Sequence, residues 1–375
     1  MDPGALQTYL PTLVRYVLVA IGLGILMVVA YRVQIRLGIK REAATGRALV
    51  LPWVVGFLIF NVFAIGASLY LSFTDYNLIQ APKWVGLANY QTLFKLDVSL
   101  LGSSDQRSAD VMPRGYKEVQ RVSVANGGFV FSAQQADFWR SIRLTLPYAF
   151  LSVPIGMIAA LGVALMLNQK VKLLGFWRVL YYMPAILPAV ATALLWRWIF
   201  SPSSGLINNI LSPIYNLFGW ETPRWFTDPN LALPAFLIMS LWGAFGANSV
   251  IILAGLKGIP KELYEAAEID GAGEWAKFRH VTIPMLSPTL FYNLVVGTIA
   301  ALGVGVELGA FIPTSATIGT FTSYQLYLDA FSFRKMGLAS AEGWILLVVI
   351  LVLTALIFRS SSAWVFYQGS REEAT

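Results

Sequence analysis

The chain contains no cysteine, which excludes disulfides and thiol chemistry. It has one histidine, His280, so a histidine-cluster metal site is excluded as well. Charged residues make up only 13% of its 375 positions, against about 25% in an average soluble domain. A Gly-rich phosphate loop ending in Gly-Lys-Ser/Thr is also missing; the stretch Gly271-Ala-Gly-Glu-Trp-Ala-Lys277 lacks that ending. With so few nucleophiles, bases and intramembrane acids, no nucleophile–base pair or metal set suggests itself, and a membrane-embedded enzyme is disfavoured.

Apolar residues are plentiful, at 57% of the chain, including 12 Trp, 16 Tyr and 23 Phe. A soluble protein of this composition would expose large apolar patches and aggregate. Lipid removes that difficulty, and the aromatic side chains suit the lipid–water boundary. The net charge of +7 needs no nucleic acid to explain it, because Lys and Arg in cytoplasmic loops of a membrane protein give the same balance.

A bilayer core of about 30 Å takes roughly 20 apolar residues as a helix. Seven such runs lie near 13–31, 48–73, 144–168, 180–200, 231–256, 288–312 and 343–366. Prolines interrupt several of them, as at Pro52, Pro147, Pro154, Pro184 and Pro188, which transmembrane helices tolerate when neighbours satisfy the freed backbone groups. The expected fold is therefore an all-α membrane protein of about seven transmembrane helices. Three loops are basic: 32–47 (Arg32, Arg36, Lys40, Arg41, Arg47), 169–178 (Lys170, Lys172, Arg178) and 257–287 (Lys257, Lys261, Lys277, Arg279). The positive-inside rule puts these in the cytoplasm, with the N-terminus outside and the C-terminus inside. The first run has only Arg15 at its start and the basic cluster after it, which favours a retained helix over a signal peptide. In the long outer segment 74–143, the alternating stretch Arg121–Phe131 around Asn126-Gly127 predicts a small β-hairpin.

The segment 257–285 is the most informative. Pro260 suits the first turn of a helix, Glu262 and Glu265 lie towards its positive end, and Lys261 and Glu265 are one turn apart and can pair. Gly271 and Gly273 break that helix. A second short helix runs through Trp275, Ala276, Lys277 and Phe278, and Pro284 starts the next membrane helix. Ala266, Ala267, Gly271 and Ala272 keep the surface small. These residues alone describe either a docking element or a compact loop.

The run Glu265-Ala266-Ala267-x-x-Asp270-Gly271-Ala272, followed by Phe278, Val281, Ile283 and Pro284, resembles the EAA motif of binding-protein-dependent ABC importer permeases. Four further stretches resemble the carbohydrate-uptake branch of that family: Ser72-Phe-Thr-Asp-Tyr-Asn-Leu78, Val85-Gly-Leu-Ala-Asn-Tyr90, Phe176-Trp-Arg-Val-Leu-Tyr-Tyr-Met-Pro184 and Phe333-Arg-Lys-Met-Gly-Leu-Ala-Ser340. The resemblance covers about residues 50–367. It implies a type I importer permease fold, with an extra N-terminal helix and loop (1–47), a first family helix plus an outer segment (48–143, with an insert near 97–136), a permease core (144–367) and a short tail (368–375).

The resemblance also implies the assembly. The partners would be a second permease (giving a heterodimer), a pair of ATPase subunits, an extracytoplasmic solute-binding protein and membrane lipid, in the bacterial inner membrane. ATP and Mg would sit on the ATPase, with no cofactor on this chain. Glu265, Ala266, Ala267, Asp270, Gly271, Ala272, Phe278 and Pro284 would couple to the ATPase, and the solute would be a sugar, oligosaccharide or polyol.

Polar or small residues within the apolar runs are the expected solute contacts: Trp242, Asn248 and Ser249 in the fifth run, and Tyr292, Asn293, Thr298 and Glu307 in the sixth. Asn248 and Asn293 have a second reading as hydrogen bonds between helices. Glu307 is the sharpest of these, since a carboxylate at the bilayer centre costs at least ~2.5 kcal/mol and tends to face a cavity or partner; its second reading is a position near the outer boundary, already in water. The stretch Ala301–Ala316 departs from the family, which carries a Phe-Gln-type polar pair followed by a Gly-Gly-Gly-Pro turn. Here small and apolar residues stand instead, leaving only Glu307 and putting the solute contacts on either this chain or its partner. An ion-gradient transporter is the competing reading; it calls for intramembrane charges and internal repeats, and no repeat is evident. A non-transporting scaffold would leave the long 257–285 motif unexplained.

Overall fold

The computed structural model describes residues 3–103, 105–124, 127–169 and 172–366. Lys170, the turn residue Asn126 and the tail 368–375 therefore lie outside the described residues. The chain divides into two compact units, residues 1–70 and 71–375.

The first unit holds α1 (Pro3–Arg36) and most of α2 (Arg41–Ser72), which pack on one another after a turn at Gly38. The α1 span Val14–Arg36 buries none of its apolar window inside the protein, so its Val, Leu and Ile side chains are left for lipid. A single wide turn at Leu58–Val62 interrupts α2 without breaking it.

The second unit opens with a two-strand ribbon, β1 (Thr74–Asp75) against β2 (Lys83–Trp84), and the short helix α3 (Ala88–Leu93). A three-stranded antiparallel sheet follows in the order β3 (Leu96–Leu101), β5 (Gly127–Ala133), β4 (Lys117–Val124). The expected hairpin is present, with Val124 pairing with Gly127 across the two-residue connection. The third strand is an addition: Leu96-Asp-Val-Ser-Leu-Leu101 alternates and pairs with β5 from Leu96↔Ala133 to Leu101↔Gly128. One face of this sheet buries Leu101, Val130 and Ser132, while Val98, Leu100, Phe129 and Phe131 stay exposed on the other.

The helical body contains α4 (Ala136–Asn168), the pair α5 (Leu174–Ile186) and α6 (Ala189–Ile199), α7 (Leu206–Phe218), α8 (Ala232–Lys257), α9 (Lys261–Ile269), α10 (Glu274–Leu302), α11 (Val306–Phe311), α12 (Thr322–Tyr327) and α13 (Met336–Ser361). Among the described residues, six helices are long and apolar enough to cross a membrane, or seven if the α5–α6 pair counts as one span. That pair corrects the reading of 180–200 as a single helix: α5 and α6 meet at 100°. Leu187 takes an extended backbone angle there (ψ 135°) because the residue before a proline is driven out of the helical region, and Pro188 continues it (ψ 142°).

The sixth run is also redrawn. Its helix begins at Glu274, well before 288, and ends at Leu302, with α11 separate beyond Gly303–Gly305. α4 and α13 also start earlier than their apolar runs, at Ala136 and Met336.

α4 lies along α8, and α10 packs on α4. At one end an aromatic core joins Tyr148, Trp196, Phe200, Phe236 and Phe321. At the other end Leu167 and Leu256, in the last turns of α4 and α8, pack with Leu286 of α10. The sheet and α9 thus sit at opposite ends of the bundle, since β5 leads into the start of α4 and α9 follows the end of α8.

Buried Asn208 ties α7 to its flanking loops. Its Nδ2 donates to the carbonyls of Ser201 and Pro223 (both 3.2 Å), and its Oδ1 accepts from the Trp225 indole N–H at 2.9 Å. Asn208→Ala strands these three groups and is expected to destabilise the fold by about 1–3 kcal/mol, read as a lower thermal midpoint of the detergent-solubilised protein.

Candidate functional site

The segment after α8 forms a compact knob. Pro260 stands just before the first residue of α9, at φ −58° and ψ 136°, one position earlier than expected. The helix ends at Gly271, whose φ of +78° a side-chain-bearing residue rarely adopts. The N–H of Ala272 bonds the carbonyl of Ala267 (2.9 Å) and that of Gly271 the carbonyl of Glu268 (3.0 Å), the paired bonds of a glycine-terminated helix. Gly273 then caps α10. The short helix through Trp275–Phe278 is no separate element, because it runs through a wide turn at Phe278–Thr282 into the membrane span. Pro284 sits inside that continuous helix, where the wide turn accommodates it.

Two contacts fold α9 back on α10. Lys277 Nζ reaches Glu268 (2.8 Å) and Glu274 (2.6 Å), and the Tyr264 hydroxyl meets Thr282 Oγ1 at 3.0 Å. The expected Lys261–Glu265 pair does not form; Lys277 takes the ion-pairing role from the far side of the bend. Glu265 is left exposed. Glu262, Glu265, Ala266 and Ile269 recur at helical spacing on one exposed stripe of α9, while Tyr264 and Ala267 turn inward. Ile269 is 87% exposed, and Trp275, 70% exposed, lies over Phe278 with ring centroids 5.4 Å apart. Asp270 is exposed at the helix end, and Ala272, Phe278 and Pro284 are half-buried.

Sequence reasoning missed Ile269 and Trp275 as exposed apolar groups. The signal for Ile269 was legible: a large apolar residue four positions after Glu265, on the stripe that carries Glu262 and Glu265.

A cavity of about 300 Å³ opens between α4, α8 and α10. Its polar lining is Tyr148 and Ser152 from α4, Ser240 and Asn248 from α8, and Tyr292 and Asn293 from α10, and none of the described lining residues is charged. Asn293 Nδ2 donates to the Thr289 carbonyl at 2.9 Å. The cavity gathers three of the seven residues expected to touch solute: Asn248, Tyr292 and Asn293.

The other four lie elsewhere. Trp242 packs edge-on against Trp196 at 5.8 Å in the aromatic core. Ser249 is fully buried and spends its hydroxyl on its own helix, on the Gly246 carbonyl (3.0 Å) and that of Phe245. Thr298 bonds the Leu294 carbonyl (2.7 Å) and lines a separate apolar groove against α4 and α13. Glu307 is in the first turn of α11, beyond the end of the α10 helix, with its carboxylate folded back towards Gly305 and away from the cavity lining. Tyr148, Ser152 and Ser240 were missed. Their signal was the four-residue spacing: Tyr148, Ser152 and Gly156 share one face of α4, as Ser240, Ala244 and Asn248 share one face of α8.

Residues 152–366 match the family described as the inner membrane component of binding-protein-dependent transport systems. A probable ABC transporter permease, YesP of Bacillus subtilis, is 34% identical over 340 residues, covering 89% of this chain and 96% of the relative. The trehalose/maltose transport system permease MalF of Thermococcus litoralis is 28% identical over 316 residues, covering 84% and 92%. Among solved structures, a bacterial ABC transporter involved in import of the acidic polysaccharide alginate superposes with a TM-score of 0.63 at 25% identity, covering 84% of this chain and 94% of that one. A bacterial alginate ABC transporter solved in complex with an alginate pentasaccharide-bound periplasmic protein superposes with a TM-score of 0.63 at 25% identity. The chain belongs to the binding-protein-dependent transport family of inner membrane components, as a multi-pass permease of the ABC transporter type.

Proposed function

We propose that this chain is one permease of an ATP-driven importer for a sugar, oligosaccharide or polyol, and that the α9–α10 knob docks on a separate ATPase subunit. The observation that carries the reading is the continuity of α10, which bears both the knob's second arm and the cavity residues Tyr292 and Asn293. The exposed acidic and apolar stripe of Glu262, Glu265 and Ile269 is suited to a protein partner, since an exposed isoleucine beside a carboxylate gains by burial. The carbohydrate reading draws on the relatives: trehalose/maltose and alginate are what two of them are named for. Hydroxyls, amides and a tyrosine around an uncharged cavity suit a polyhydroxylated solute. In this reading a second permease completes the pathway, a binding protein delivers solute, and ATP with Mg acts on the ATPase. The basic loops 32–47, 169–178 and 257–287 face the cytoplasm and the sheet faces outward.

Two expected outcomes test this. Gly271→Val puts a branched side chain at φ +78°, which costs roughly 1–2 kcal/mol locally and misaims α9. Together with Glu265→Arg it is expected to lower uptake on the order of tenfold (about 1.4 kcal/mol). Uptake by both variants at the wild-type rate, or uptake that survives ATP depletion and collapses with the ion gradient, overturns the coupling role. Asn248→Leu and Tyr292→Ala are expected to reduce solute-stimulated ATP hydrolysis several-fold while the ATPase still co-purifies. Unchanged stimulation in both removes the cavity from the pathway.

A further inference from the structure

Glu342 lies in the second turn of α13 and is 0% exposed. Neither of its carboxyl oxygens has a hydrogen-bond donor. The group within hydrogen-bonding reach is a second buried carboxyl, Asp329, in the turn that extends α12. Asp329 is itself held by Gln325, whose Nε2 donates to Oδ2 at 2.7 Å, and its backbone carbonyl accepts from the Lys335 N–H at 2.7 Å.

Two ionised carboxylates in that position present acceptors to acceptors and repel without water to screen them. A single proton between them turns the contact into a hydrogen bond and gives Glu342 a partner. The neighbouring charges do not supply another solution. Lys335 attracts the pair from the connecting loop, and Asp137, at the start of α4, repels it. Asp137 is already paired with Arg140 (2.8 Å) and Lys117 (3.8 Å). The ribbon strand β1 and helix α3, packed on the same end of α13, bring Asp75 and Tyr90, and the Tyr90 hydroxyl is taken by Ser72 at 2.8 Å. Among the described residues no group of three metal-ligating side chains surrounds the pair.

We propose that Asp329 and Glu342 form a buried proton-binding site, in which one shared proton clasps the α12 extension to the start of α13. The clasp closes across Phe333–Lys335, where Arg334 takes a left-handed backbone angle (φ +55°). Burial holds the Asp329 carboxyl above the ordinary carboxylate range. A carboxyl that keeps its proton in the fold but loses it in the unfolded chain stabilises the fold at low pH, and that contribution is lost as pH rises through the folded-state value. The site stands apart from the cavity and from the knob, so it does not depend on the proposed function.

The test is thermal unfolding of the full-length protein in lipid nanodiscs, with whatever subunits co-purify, from mildly acidic to mildly alkaline pH. The wild type is expected to lose stability as pH rises. Glu342→Gln, whose amide donates to Asp329 without titrating, is expected to remove most of that slope, as is Asp329→Asn. Infrared spectra of the wild type are expected to contain a protonated-carboxyl C=O band that is absent from Glu342→Gln. A wild-type slope that persists in both variants, or the lack of that band, overturns the proposal. Recovery of high-pH stability on adding sodium or calcium also overturns it, in favour of a cation. Should Glu342→Gln fail to fold, Asp329→Asn and the wild-type band decide alone.

Discussion

The close approach of α4 and α8 is the contact on which the rest of the bundle depends. A methyl group at Gly156 would stand 3.1 Å from the Ala244 side chain, and Ala160, Ala164 and Ile252 continue the contact as buried positions. In lipid the hydrophobic effect does not drive helices together, so small residues that permit dense packing supply the association. α10 then packs on α4, and the gap that the small side chains leave between the three helices is the cavity.

The same reasoning explains where polar groups sit. Within the bundle, hydroxyls mostly bond their own helix, as Ser249, Ser287 and Thr298 do. Longer-range polar contacts cluster at the ends, where chains cross outside the regular spans. Thr145 and Thr322 join α4 to α12 at 2.9 Å, Asn89 reaches the carbonyls of Ser72 and Thr74 at 2.9 Å, and Asn208 gathers the loops around α7. A helix satisfies its own backbone in hydrocarbon, whereas a loop has to find partners where water or protein provides them.

Much of this was legible in the residues. Apolar runs located every span, and Gly271 marked the bend, because both signals are local. The Asn126-Gly127 dipeptide announced the β4–β5 pairing, although β3 was not anticipated: its alternation is short and its partner lies about thirty residues away. The α5–α6 elbow was hidden because Pro184 and Pro188 fit a kinked span as well as a broken one. Glu307 was read into the sixth apolar run because Gly303 and Gly305 are apolar by composition, while their backbone ends the helix. Ser249 and Thr298 misled for a different reason: the face a hydroxyl occupies depends on neighbours that one helix's sequence does not contain. Glu342 escaped notice by sitting one residue before an apolar run, where a carboxylate reads as a solvated boundary; only its burial by α12 and α3 gives it significance.

The unbroken course of α10 has a mechanical consequence. From Glu274 to Tyr292 the rod runs about 27 Å at 1.5 Å per residue, with one soft spot at the wide turn Phe278–Thr282. A tilt of a few degrees at its lower end becomes a sideways shift of an ångström or two at the tyrosine. A stiff helix of that length ties the position of the knob to the cavity wall at Tyr292 within one element, with no loop between them.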